Sequence, residues 1–137
     1  MTDNAGGLGL HQIDAVLKYL PLFERQSFSP GAWHTRPGEL PIFLLRPEVD
    51  AFVRTLYDQG VVLAFDWTQW KGEVERYQTD PTLLQQADLL TIRKLLTAHV
   101  RADRFTEAHL ATVFQRGHIV AILRRLKQIR QHMAGGD

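Results

Sequence analysis

DLLTIRKLLTAHVRADRFTEAHLATVFQRGHIVAILRRLKQIRQHM, residues 88–133, carries the pattern that decides the fold. Asp88 opens it as a helix cap, and Leu89, Ile92, Leu96 and His99 follow at intervals of three or four, which puts them on one helical face. Gly117 divides the remainder into two further helices. In the last of these, Ile119, Ile122, Leu123, Leu126, Ile129 and Met133 form a core-facing stripe, while Arg124, Lys127, Gln128 and Gln131 face away. Three helices in succession predict a mostly helical domain.

Upstream, Asp80 and Pro81 mark another helix start, and DWTQWKGEVERYQ reads as a short helix before it. Pro47 and Gly60 bracket PEVDAFVRTLYDQ, whose Val49, Phe52, Val53 and Leu56 make one apolar stripe. LHQIDAVLKYL spaces Leu10, Ile13, Val16, Leu17 and Leu20 helically and stops at Pro21. Between these two helices, RPGE offers a tight turn between AWHT and the apolar run LPIFLL, which predicts a hairpin. Residues 61–65 of GVVLAFDW are continuously apolar, which predicts a strand buried on both faces and paired in parallel with residues 40–45 through a right-handed crossover. The expected fold class is therefore α+β: one mostly helical domain, residues 9–133, with a two- or three-stranded sheet. Residues 1–8 are expected to be a disordered tail, and residues 134–137 a frayed end.

Composition agrees. The chain has 137 residues, 45% hydrophobic and 23% charged, the size and balance of a single soluble domain with one core. No apolar run approaches the roughly 20 residues of a membrane span. MTDNAGGLGL has neither the basic nor the apolar region of an export signal, so no membrane association and a cytoplasmic location are expected. The lack of cysteine excludes disulfides, thiolate metal sites and a thiol nucleophile. A metal would need His99 with Asp103, four residues apart, joined by His109 and His118; no established ligand spacing such as HExxH occurs, so neither metal nor cofactor is expected. Charge is uneven: residues 93–130 hold nine Lys/Arg against two acids, and the rest holds seven against thirteen. That polarity either steers an anionic partner or docks basic helices onto acidic ones.

The chemistry concentrates in HVRADRFTEAHL, residues 99–110. The stripe of the first helix continues through His99 to Asp103, placing polar groups that need partners on an inward face. Asp103 and Thr106 are good caps, which predicts a break around Arg104 and Phe105. Glu107 shares a face with Leu110 and Phe114. Two readings follow. In one, Arg101, Asp103, Arg104 and Glu107 form an ion-pair network locking two helices, with Phe105 as a plug. In the other, one arginine is free to take a phosphate or carboxylate in its planar fork. Asp66, before Trp67 and Trp70, reads as a helix cap beside core tryptophans, or else as an acid at a strand end. Trp33, His34 and Arg36 form a second polar loop.

LLTAHVRADRFTEAHL, followed by GHIVAILRRLK and preceded by LYDQGVVLAFDWTQW, resembles a family of small bacterial and archaeal proteins, a domain of unknown function. The resemblance runs over about residues 19–127. Its motif is Arg-x-Asp-Arg-Phe-x-Glu-Gly with a later glycine turn, and Arg101, Asp103, Arg104, Phe105, Glu107 and Gly117 match it. Ala108 stands where the motif has glycine, and the turn reads Gln115, Arg116, Gly117 in place of an acidic one. The resemblance implies no activity.

Three function classes follow. The first is a binding or regulatory module for a small anionic ligand or a protein partner. The second is a nucleic-acid binder using helices 106–115 and 118–132 with Arg124, Arg125, Lys127 and Arg130 outward. The third is a hydrolase or transferase with Glu107 or Asp103 as base, His99 or His109 as acid and Arg101 holding an anion. The first fits the composition best; oligomeric state is left open.

Overall fold

The computed structural model describes residues 7–135. The chain runs α1 (Leu10–Leu17), α2 (Leu20–Phe23), β1 (Gly31–His34), β2 (Ile42–Leu45), α3 (Pro47–Asp58), a 3-10 helix (Trp67–Trp70), α4 (Lys71–Thr79), α5 (Pro81–Gln85), α6 (Leu89–Ala102), α7 (His109–Gln115) and α8 (His118–Ala134). Residues 1–6 and 136–137, most of the two expected tails, lie outside the described residues, while Leu8 is buried. The fold is mostly helical α+β with one small sheet. No helix among the described residues is long and apolar enough to cross a membrane.

Helix starts follow the chemistry of their first residues. Asp88 accepts from the Thr91 amide at 2.8 Å and Asp80 from the Leu83 amide at 3.1 Å, satisfying backbone donors that a helix start leaves unpaired. Pro47 and Pro81 occupy first helical positions, where a missing N–H costs nothing. α8 is the central helix and packs against α1, α2, α5, α6 and α7. Its Ile119, Ile122, Leu123 and Leu126 are buried, with Ile129 and Met133 half-buried beside them. Arg130 Nε reaches Asp14 of α1 at 2.8 Å, and Arg124 Nε reaches Glu24, just after α2, also at 2.8 Å. Two of the nine basic residues of the segment 93–130 are thus paired with acids from the N-terminal part of the chain. Such exposed pairs orient α8 more than they stabilise it.

β1 and β2 pair antiparallel, with Gly31 opposite Leu45 and His34 opposite Ile42. The turn forms where RPGE predicts it: Glu39 N donates to Arg36 O at 3.0 Å. Pro37 and Gly38 fill its corners, Gly38 at φ +79°, the signature of a type II turn. The hairpin lies outside the helical core and exposes Leu40, Ile42 and Leu44.

Residues 61–65 are not a strand, and the expected parallel pairing with 40–45 does not form. Side chains of α6 take the place of a strand partner. Arg93 donates to the carbonyls of Gly60 at 2.6 Å and Val61 at 3.3 Å, and Leu63 N donates to Thr97 Oγ1 at 2.9 Å. With these backbone groups satisfied, the apolar segment lies along a helix.

Between α6 and α7 the chain breaks at residues 103–108, where a break is expected; Asp103 ends α6, but Thr106 is not a cap, and α7 begins after Ala108. Ala108 there has φ +63°, the left-handed region, where an L side chain costs roughly 1 kcal/mol or more. Ala108→Gly is expected to raise stability by roughly 1 kcal/mol and the melting temperature by roughly 3 °C. Thermal unfolding of the two proteins side by side checks this; an unchanged or lower melting temperature would show the strain to be absorbed locally.

Candidate functional site

Arg101, Asp103, Arg104 and Glu107 do not join into the expected ion-pair network. Asp103 Oδ1 accepts from Leu110 N at 2.9 Å and so caps α7. Arg104 lies over the Tyr57 ring, 5.7 Å from its centroid, and donates to the Tyr57 hydroxyl at 3.2 Å. Glu107 Oε2 accepts from Phe43 N of the hairpin at 3.4 Å. Arg101 is half-buried, and its Nε has no partner. The ion pairs among the described residues lie elsewhere, at Arg76–Glu73, Arg124–Glu24 and Arg130–Asp14. Arg104, Asp103 and Glu107 tie the interhelical joint to α3, α7 and the hairpin respectively. Phe105 is 77% exposed and does not plug the core.

The structure brings together the histidines. His99 comes from the last turn of α6, His109 begins α7 and His118 begins α8. His99 Nδ1 and His109 Nε2 are 3.3 Å apart in a hydrogen bond, and the His118 ring meets His99 edge-on at 5.1 Å. His99 and His118 are buried, each with an Nε2 that lacks a partner. Burial pushes His99 down to about 3, helped by the neighbouring His118 and His109 rings. Burial likewise takes His118 to about 4. For His109, burial lowers the pKa and Arg116 adds to it, while Asp103 opposes both. Neutral rings at the base of the joint are what desolvation demands. Because two of the ring nitrogens bond each other and Asp103 caps α7, the His99, Asp103, His109 and His118 set does not converge on a common point. No group of three or more such ligands among the described residues is placed to hold a metal.

His118 also borders a cavity of about 490 Å³ between α4, α5 and α8. Arg116, Arg124 and Arg125 line it, and none of its lining residues is acidic. Arg125 is held from behind, donating to Ala87 O at 2.8 Å and to Gln128 Oε1 at 3.1 Å. Arg124 is turned toward Glu24. Arg116, in the turn before α8, is exposed, and its guanidinium has no ion pair or hydrogen bond among the described residues. A second cavity of about 470 Å³ adjoins the first, sharing Gln78, Thr79 and Arg116, and has His99 and His109 in its wall. Sequence reasoning noted Arg116 only as a departure in the turn. Nothing in its own neighbourhood announces that α4 folds across from it.

Asp66 caps the 3-10 helix, accepting from Thr68 N at 3.2 Å. Trp70 packs on Phe65 and Tyr77. Trp67 stacks on Phe105, ring centroids 5.9 Å apart and 28° from parallel, at the rim of the second cavity. Trp33, His34 and Arg36 lie on the exposed hairpin, away from both cavities.

Residues 9–132 match DUF6508, a family of unknown function, and the chain belongs to it. No curated protein and no solved structure matches the chain.

Proposed function

Starting from a family whose description assigns no activity, we propose that this chain is a non-catalytic binding module for a small anionic ligand, held in the cavity between α4, α5 and α8. The observation that carries the reading is a ligand-sized cavity lined by Arg116, Arg125 and a neutral histidine, with no acidic residue in its wall and with Arg124 at its edge paired to Glu24. Guanidinium forks match phosphate and carboxylate oxygens, and Arg116 has no internal partner to give up. Arg125, already fixed by Ala87 and Gln128, is pre-organised, which lowers the entropy cost of binding.

A nucleic-acid surface on α8 draws less support. Arg124 and Arg130 are engaged with Glu24 and Asp14, and Arg125 with Ala87, which leaves Lys127 from the expected outward set. Catalysis at Asp103 or Glu107 also draws less support, because both carboxylates are occupied by backbone amides.

Titration calorimetry with inorganic pyrophosphate tests the proposal. The wild-type protein is expected to bind and Arg116→Ala to bind roughly ten-fold or more weakly, as for loss of a charge-assisted hydrogen bond. Binding is also expected to weaken as salt rises. The exposed position of Arg116 means that its removal should leave the fold intact. No heat from the wild-type protein at low salt would end the proposal.

A further inference from the structure

The two adjoining compartments differ in chemistry, and the difference specifies more than an anion. The second has an aromatic and small-apolar wall built from Trp67, Phe105, Val74, Ala98 and Ala102. Lys71 and Glu75 stand among these residues on successive turns of α4. Phe105 keeps most of its ring in water although it is stacked on Trp67, so a stacking face is available at the rim.

We infer that the anion received at Arg116 carries a planar heteroaromatic ring seated in this second compartment, so that the ligand class is a nucleotide-like heteroaromatic phosphate. The inference rests on the reading of the first compartment as an anion site. Charge sets the orientation. The compartment without any carboxylate takes the phosphate, and the one containing Glu75 takes the ring, whose exocyclic N–H groups a carboxylate can accept from. Trp67 and Phe105 extend their stack with a third ring. A saturated tail would fill the same volume but leave Glu75, Lys71 and the His109 ring facing hydrocarbon, a cost that a heterocycle avoids. Each compartment is within the usual size of a small-molecule site, and the shared residues Gln78, Thr79 and Arg116 set them side by side, with Arg116 bordering both.

The test compares pyrophosphate, adenosine diphosphate and octyl phosphate on the full chain, with Phe105→Ala as the variant and thermal unfolding as the check that it folds. Adenosine diphosphate is expected to bind roughly ten-fold or more tightly than either other probe, and Phe105→Ala to shrink that advantage several-fold. Equal affinity for adenosine diphosphate and pyrophosphate would overturn the inference while leaving the anion site standing. Octyl phosphate binding as tightly as the nucleotide, or an advantage untouched by Phe105→Ala, would overturn it as well. Failure of all three probes to bind would remove the anion reading itself.

Discussion

Acidification from about pH 7.5 to about pH 5 is expected to take roughly 4 kcal/mol from the unfolding free energy of this domain. The cause is the pair of buried imidazoles. His99 and His118 have an ordinary value of 6.5, and burial takes them to about 3 and about 4 in the folded protein. At about pH 7.5 both rings are almost wholly uncharged in both states, and little stability is at stake. Below the unfolded value only the unfolded chain takes up protons, so each ring costs about 1.4 kcal/mol per pH unit until its folded value is reached. At about pH 5 that is roughly 2 kcal/mol per histidine, against a total of about 5–15 kcal/mol for an ordinary domain. His109 shifts in the same direction and steepens the slope. The loss begins above the range in which carboxylates such as Asp88 titrate, so it is separable from general acid denaturation. Urea unfolding at a series of pH values reads the slope directly. His99→Gln and His118→Gln, each neutral throughout, are expected to remove about half of it apiece. A flat profile from about pH 6.5 to about pH 5 would mean that the rings find proton-stabilising partners.

The same histidines show how far the sequence could be read. His99 continues a leucine and isoleucine stripe at helical spacing, so its burial was legible from residues 89–99 alone. That His109 and His118 meet it was not, because their approach depends on the angles at which α7 and α8 leave the breaks at residues 103–108 and Gly117. Features closed within a few residues were legible: the Asp88 and Asp80 caps, the turn at RPGE, the stripe of α8. Features satisfied by distant residues were not. The apolar run at 61–65 carries a strand's composition, and only Arg93 and Thr97, about thirty residues on, relieve it of needing a strand neighbour. Arg104 and Glu107 found Tyr57 and Phe43, 47 and 64 residues back, before they could find each other. The cavity between α4, α5 and α8 was the least legible of all, since its walls come from four separate helices and turns.

Phe52→Ala is expected to be among the most destabilising single changes in the chain, at about 3–5 kcal/mol. Phe52 is fully buried at the centre of an aromatic cluster that ties α3 to α2, to Tyr19 in the turn before α2, and to α7. Its ring meets Phe23 edge-on at 5.1 Å, Tyr19 at 5.5 Å and Phe114 at 6.3 Å. Removing it forfeits the transfer of the ring from water, opens a cavity, and breaks several edge-to-face contacts worth about 0.5–1.5 kcal/mol each. The neighbours are themselves rings, fixed on helices and unable to collapse into the space, so little of the cost is recovered. Phe52→Leu, which keeps most of the volume, is expected to cost no more than about 1.5 kcal/mol. Phe105→Ala, at an exposed ring, is expected to stay within about 0.5 kcal/mol. Urea midpoints for the three variants at neutral pH test this ranking, and a loss below about 1.5 kcal/mol for Phe52→Ala would show that the cluster repacks. The aromatic cluster and the histidines share no residue, so the two losses should add to within about 0.5 kcal/mol. Phe52→Ala at about pH 5 then forfeits roughly 7–9 kcal/mol, enough to unfold without denaturant a domain in the lower half of the ordinary range of about 5–15 kcal/mol.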